Sequence, residues 1–204
     1  MDFIAFDLET TGFFAGADQI VEIGAIRYVD GRPESMFVTL VNPQRPIPIE
    51  AQRVNGISDE MVANAPTIDL LMPAFAEFCG DTPMIAHNAP FDYQFLVHEV
   101  KRLEIAAPRG HILDSLPMAR KVFPGLMNYK LGTLVEHLKI PGGGFHRAQA
   151  DCLFLGQLFI HILDRLSGSG QPPSIENLIQ LCNNQSLRFP VIEKQPKQLD
   201  LMGL

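Results

Sequence analysis

Cysteine is scarce in this 204-residue chain: Cys79, Cys152 and Cys182 are scattered, with neither metal-ligand nor disulfide-framework spacing. They read as small apolar residues in a reducing cytosol, so a cytoplasmic location is expected. Long hydrophobic runs are missing too. None approaches the ~18 residues that span a bilayer, so no membrane partner is expected. The start, Met1-Asp2-Phe3, has no basic region, and a secretory signal is not expected. Positive charge is in deficit, with 16 Lys and Arg against 23 Asp and Glu and a net charge of −7. Plain electrostatic capture of nucleic acid is therefore not the default reading. An acidic protein can still bind phosphates if some of its carboxylates hold divalent cations, because the cations invert the local field. Apolar material is ample: 47% hydrophobic and 19% charged residues exclude a disordered or collagen-like chain. The length fits one domain with a tail, and no internal repeat is visible.

Periodicity outlines the order of elements. Residues 2–7, 19–29 and 35–41 read as strands. The second has apolar residues on both faces, as a central strand does, and Asp30-Gly31 marks a hairpin after it. The run N-P-Q-R-P-I-P, residues 42–48, is a loop that cannot join a central strand. A helix over 67–79 is expected to be capped by Thr67. A strand at 83–86, a helix at 89–103, a strand at 111–113 and a helix from the Asp114 cap to 123 follow. Further helices are expected at 130–138 and 147–166, the last preceded by the loop P-G-G-G-F, residues 141–145. Hairpin strands followed by alternating helices and strands give an α/β fold, a mixed sheet with helices on both faces.

Several carboxylates then stand in costly places. Asp7 and Glu9 are two apart at the end of a buried strand, so both point to one face. Repulsion pushes one of them toward protonation unless a cation lies between. Taken alone, D-x-E also fits a strand end open to water. Asp92 heads a set with Phe95, Leu96, Glu99 and Leu103 at helical spacing, whose apolar members should face the sheet. An unpaired buried carboxylate costs several kcal/mol, so something should compensate it. Asp151 repeats the pattern with Leu155, Leu158 and Ile162. Four inward acids from three elements call for two divalent ions, and an oxygen-only donor set favours Mg or Mn over zinc. His146, five residues before Asp151, would diverge from it on one helix and so fits the Gly-rich loop better. There its imidazole could take a proton from an attacking water. A lone loop histidine is otherwise simply solvated.

The segments F-D-L-E-T-T-G (6–12), H-N-A-P-F-D (87–92) and H-R-A-Q-A-D (146–151) together resemble the DEDDh-type branch of the DnaQ-like 3′–5′ exonucleases. Lesser echoes are V-E-I-G-A (21–25), D-S-L-P-M-A-R (114–120) and Y-K-L-G-T-L (129–134). The likeness covers about residues 2–165. It implies a ribonuclease H-like fold with a mixed five-stranded sheet, and two-metal phosphodiester hydrolysis. By family position Asp7, Glu9 and Asp151 would hold the tighter of two Mg or Mn ions. Asp7 would bridge to the second ion, with Asp92 acting partly through water and His146 as general base. Two such ions activate the attacking water and stabilise the leaving 3′-oxygen. Thr10 and Thr11 are the candidates for reading the 3′ end. Phe91 would either stack near the terminal base or pack in the core. Many family members have a histidine before G-I in the loop that meets the terminal nucleotide. Here the sequence is V-N-G-I, so Asn55 takes that position. Glu22 reads as structural or supporting, not as a ligand.

The chain is thus expected to divide into an exonuclease domain, residues 1–166, and a flexible linker with a C-terminal tail, residues 167–204. The stretch S-G-S-G-Q-P-P-S, 167–174, is a linker by composition. Residues 174–182 form a short helix that either docks on a polymerase or covers the domain. The end, Q-L-D-L-M-G-L (198–204), is similar to the peptide by which many bacterial replication and repair proteins grip the sliding clamp. Met202 stands in place of the terminal aromatic, and the expected contact is Gln198–Met202. Three readings follow: an exonuclease on single-stranded or frayed DNA 3′ ends in proofreading or repair; the same chemistry trimming RNA 3′ ends; or a catalytically silent adaptor for a clamp or polymerase. An intact set of Asp7, Glu9, Asp92, His146 and Asp151 speaks against silence, since nothing structural requires all five.

Overall fold

Alternation along the first strand sets the layering. β1 (Phe3–Thr10) turns Phe3 and Ala5 to one face and Ile4, Phe6 and Leu8 to the other. It pairs antiparallel with β2 (Ile20–Val29), which pairs antiparallel with β3 (Arg32–Leu40). On its other side it pairs parallel with β4 (Met84–Ala86), which pairs parallel with β5 (Ile112–Asp114). The order β3-β2-β1-β4-β5 makes one mixed five-stranded sheet. The computed structural model describes residues 1–142, 147–167, 170, 173–183 and 187–191. His146, most of the Gly-rich loop, parts of the linker and the stretch Gln198–Met202 lie outside them.

Helices cover both faces. α3 (Ile68–Cys79) and α4 (Ala89–Leu103) bury Met72, Phe75, Phe95 and Leu96 against the Ile4–Phe6–Leu8 face. α5 (Ser115–Val122), α6 (Leu131–Leu138) and α7 (Ala148–Leu166) pack on the Phe3–Ala5 face with Ile26 and Tyr28 of β2. On α7 the expected inward set is buried as the spacing requires: Asp151, Leu155, Leu158 and Ile162. All three cysteines are free and buried. No helix among the described residues is long and apolar enough to cross a membrane.

Some details depart from the sequence pattern. Thr67 precedes α3 but its side chain makes no capping hydrogen bond. β3 begins at Arg32 and takes in Pro33, which an edge strand tolerates because the missing N–H can face solvent. Two short helices, α1 (Ile49–Asn55) and α2 (Asp59–Val62), lie where turn residues masked any period; α1 ends on Gly56 at φ 70°. After the long helix, α8 (Ile175–Leu181) returns to the domain. Leu178 is fully buried and Lys121 Nζ donates to the Leu181 carbonyl at 3.0 Å. Leu187 then bridges to Ile112 at the β5 edge.

Candidate active site

Three carboxylates converge where β1 leaves the sheet. Asp7 and Glu9 continue the Phe3–Ala5 face, and that face is the one α7 covers. Asp151, in the first turn of α7, therefore meets them, and ligand oxygens of Asp7, Glu9 and Asp151 lie within 4.8 Å of one another. Asp92 is buried beside them at the start of α4, 3% exposed, but stands outside that group. Its Oδ1 accepts the Leu8 N–H at 3.1 Å, which ties the head of α4 to β1.

The start of α4 is placed by β5. Asn88 sits in the left-handed region at φ 70°, and its side chain makes no cap. Instead the Asp114 Oδ1 accepts both the Asn88 N–H and the Leu116 N–H, each at 2.9 Å. One carboxylate oxygen thus anchors α4 and α5 together. Beside it, His87 Nε2 lies 2.7 Å from the Tyr129 carbonyl and Nδ1 lies 2.8 Å from the Ser115 hydroxyl. A carbonyl only accepts, so Nε2 carries the proton and Nδ1 accepts from Ser115. Burial lowers the pKa of the ring, in keeping with this neutral form.

The start of α7 is placed by β2. Glu22, 1% exposed, receives Arg147 Nη2 at 2.7 Å on Oε1, and its Oε2 accepts the Ala148 N–H at 2.9 Å. Glu22 is supporting, as expected, and Arg147 is the partner that the sequence pattern did not single out. Gly24, opposite Asp7 in the β1–β2 register, lets the helix sit down on the sheet. A Cβ there would lie 2.7 Å from the carbonyl carbon of Ala148.

Electrostatics record the crowding. Burial, then Asp92, Glu9, Asp151 and Glu22, hold Asp7 well above the usual carboxylate range. Burial and the charges of Asp151 and Glu22 raise Glu9 to about 7, against the opposing pull of Arg147. Burial raises Asp92 to about 8, although the Leu8 N–H works in the other direction. Arg147, the cation that lowers Glu9, is already engaged by Glu22 and does not discharge the cluster. An oxygen-only group of this density fits hard divalent cations.

The remaining expected site residues ring the acids. Thr10 Oγ1 donates to the Gly12 carbonyl at 2.6 Å. Thr11, 3% exposed, accepts the Gln19 N–H at 2.9 Å, so both hydroxyls serve the shape of the 10–19 loop. Asn55 is buried; its Nδ2 donates to the Thr10 carbonyl at 3.4 Å and its Oδ1 accepts the Ile57 N–H. Phe91 is half-buried, 5.4 Å from the Phe95 ring and 6.5 Å, edge-on, from that of Phe13. Phe13 and Phe14, missed in the sequence pattern, are 74% and 71% exposed. Their signal was an aromatic pair directly after T-T-G, in a turn with no core to enter. A second flank is a cavity of about 520 Å³ that Asp7 and Asp151 share with His87, Lys130, Thr133 and Glu136.

Comparison with known proteins agrees with this fold. The exonuclease family model RNase_T matches residues 4–159. The DNA polymerase III epsilon subunit of Aquifex aeolicus is 35% identical over 164 residues, 80% of this chain and 81% of that protein. That of Treponema pallidum is 34% identical over 187 residues, covering 87% of each. A PolC-type DNA polymerase III of Caldanaerobacter subterraneus subsp. tengcongensis is 37% identical over 169 residues, but the match spans 83% of this chain and only 12% of that protein. Among solved structures, exonuclease X in complex with 5′ overhanging duplex DNA aligns at TM-score 0.70 and 29% identity, over 88% of this chain and 99% of that one. Cell-death related nuclease 4, at TM-score 0.69 and 16% identity over 80% of this chain and 64% of that one, shares the fold. With its acids on the ends of β1, α4 and α7 of such a sheet, the chain belongs to this exonuclease family.

Proposed function

We propose that the protein is a divalent-metal-dependent 3′–5′ exonuclease that removes nucleotides from single-stranded or frayed DNA 3′ ends in proofreading or repair. The observation that carries the reading is the convergence of Asp7, Glu9 and Asp151 within 4.8 Å in a half-dry cleft. Asp7, Glu9 and Asp151 would hold one Mg or Mn ion, with Asp7 shared with a second ion beside Asp92. When bound, such a pair supplies an activated water and charge neutralisation for an in-line displacement at phosphorus. The protein's own groups do the rest. Glu22 and Arg147 fix the azimuth of α7 and so the aim of Asp151. His146 is the general base by family position. The exposed rings of Phe13 and Phe14, with Phe91, offer a sequence-tolerant stacking face for the terminal base, beside the loop that Thr10, Thr11 and Asn55 hold.

The same proposal includes an exonuclease unit, residues 1–166, and a linker with tail, 167–204, of which α8 and Leu187 pack back on the unit and the Gln198–Met202 stretch grips a sliding clamp. Likeness to polymerase III epsilon subunits supports association with a DNA polymerase in the cytoplasm. The test is digestion of a 3′-hydroxyl single-stranded DNA oligomer with Mg or Mn, run beside the matched RNA and a circular strand. Stepwise shortening of the DNA, slowed by a 3′-phosphate, is expected. Faster loss of the RNA would reassign the substrate, and cutting of the circle would refute the end-reading.

A further inference from the structure

The cavity beside the acids has a wall that the reaction as described does not use. Asp7 and Asp151 line it, but Thr10, Asn55, Phe13 and Phe91 do not. A strand whose last base lies against the 10–19 loop therefore enters this space only with the part beyond the scissile bond. That part brings another phosphate toward Asp7, Asp151 and Glu136 in a chain of net charge −7. Ions held by Asp7 and Asp151 would answer the scissile phosphate. The next one needs a cation of its own.

Lys130 is the one lysine or arginine among the described residues of that lining. His87 shares the lining but faces a carbonyl through Nε2, which makes it a donor already in use. Lys130 forms no ion pair with a described carboxylate, even though Glu136 lines the same space. Its backbone is also held firmly for an exposed turn. The Asn128 Oδ1 accepts the Lys130 N–H at 3.1 Å and the Thr133 hydroxyl at 2.7 Å. The neighbouring Tyr129 is fixed at both ends, its carbonyl by His87 at 2.7 Å and its hydroxyl on the Phe123 carbonyl at 2.9 Å. A histidine in the H-N-A-P-F-D segment is thus spent on fixing the turn that carries Lys130.

We propose that Lys130 is the strand-holding cation of this nuclease, contacting a phosphate of the substrate beyond the scissile one, on a turn that His87 fixes. The assignment rests on the exonuclease reading and adds to it a preference for substrates with more than one phosphate.

The experiment uses the full chain with Mg and a single-stranded DNA oligomer. Lys130→Gln is expected to raise KM about tenfold, more than it lowers kcat, as loss of one charge-assisted contact does. The slope of log(kcat/KM) against log[salt] should become shallower by about 0.7, the share of one single-strand phosphate contact. Lys130→Arg should restore most of that slope. The loss should be larger on the oligomer than on the p-nitrophenyl ester of thymidine 5′-phosphate, which has a single phosphate. The thermal shift produced by Mn in the Gln variant should equal that of the wild type; a lost shift would place Lys130 in the metal scaffold and overturn the assignment. A wild-type KM and salt slope in the Gln variant, or equal losses on the two substrates, would also overturn it. A wild-type chain that shortens no oligomer refutes the exonuclease reading itself, a distinct result.

Discussion

Gly24→Ala puts one methyl group between the sheet and the helix that carries Asp151. The added carbon would lie 2.7 Å from both the carbonyl carbon and oxygen of Ala148 and 2.8 Å from its Cβ. Ordinary contact needs about 3.4–4 Å between carbons, so about 0.7–1.3 Å must be found. The obstacle is helix backbone and cannot rotate away. Nor can α7 retreat freely, because Glu22 holds both Arg147 and the Ala148 N–H. Over-packing of this kind costs about 1–3 kcal/mol. For a chain of this size that is a melting-temperature fall of about 2–12 °C. The effect on turnover should be larger in proportion. Asp151 is three residues beyond Ala148 and moves with it, and a displacement near 1 Å at a reacting centre costs about a hundredfold. Nuclease assays and calorimetry on the same preparation measure both. Gly31→Ala is the control: that residue has φ +73° and open space around it, so the change strains the hairpin turn far from the acids. It should lower the melting temperature while leaving turnover at the wild-type level. A Gly24→Ala protein with wild-type turnover would refute the claim that the seat of α7 on β2 sets the acid geometry.

Asp7→Asn should remove turnover by several orders of magnitude, yet raise the melting temperature of the metal-free chain, because it replaces a half-buried acid whose surroundings force it to hold a proton that the unfolded chain releases; a fall would show that Asp7 is part of the scaffold. Stability of the metal-free protein should decline as pH rises from about 4 to about 8. Glu9 at about 7 and Asp92 at about 8 hold protons in the fold that the unfolded chain has lost by about pH 4–5, so the unfolded state gains with rising pH and the trend levels off above both values. Mn favours the ionised acids, so its thermal shift should be larger at about pH 8 than at about pH 5, and a flat pH dependence would contradict the crowding. Glu22→Gln should lower turnover more than stability, since the half-exposed Arg147 can turn to solvent while the azimuth of Asp151 is lost; equal Mn affinity in variant and wild type would count against that role. Removing residues 198–204 should abolish clamp pull-down without slowing digestion of short oligomers.

The acids were legible because they offend the local pattern. Asp92 and Asp151 head apolar stripes, and a stripe states which way its members point before any contact is known. Asp7 and Glu9 were legible through the period of two, which the sheet obeys by sending them to the α7 face with Phe3 and Ala5. Thr67 marked a helix start correctly but not through a capping hydrogen bond, and at the head of α4 the Asn88 N–H is satisfied by Asp114, 26 residues away. Glu22 was legible as a support, but the partners of the supports were not, for the same reason. Glu22 meets Arg147 at a separation of 125 residues, His87 meets Tyr129 across 42, and nothing within a turn of either residue announces the partner. Gly24 looks like any glycine in a strand until a helix lies on it.

That division follows from what each kind of residue is for. A catalytic acid must be held against its own solvation, so its sequence neighbours are apolar and it stands out. A supporting residue satisfies its charge or its size through a distant partner, and satisfied groups leave no local anomaly. The two exposed phenylalanines invert the rule: Phe13 and Phe14 stand out because they are unsatisfied in the free chain, which is what a surface waiting for a base requires. Replacing both by serine should therefore not destabilise the free protein, since little apolar burial is lost, while the KM for oligomers should rise; a melting temperature that falls by more than a few degrees would show that the pair belongs to the core after all.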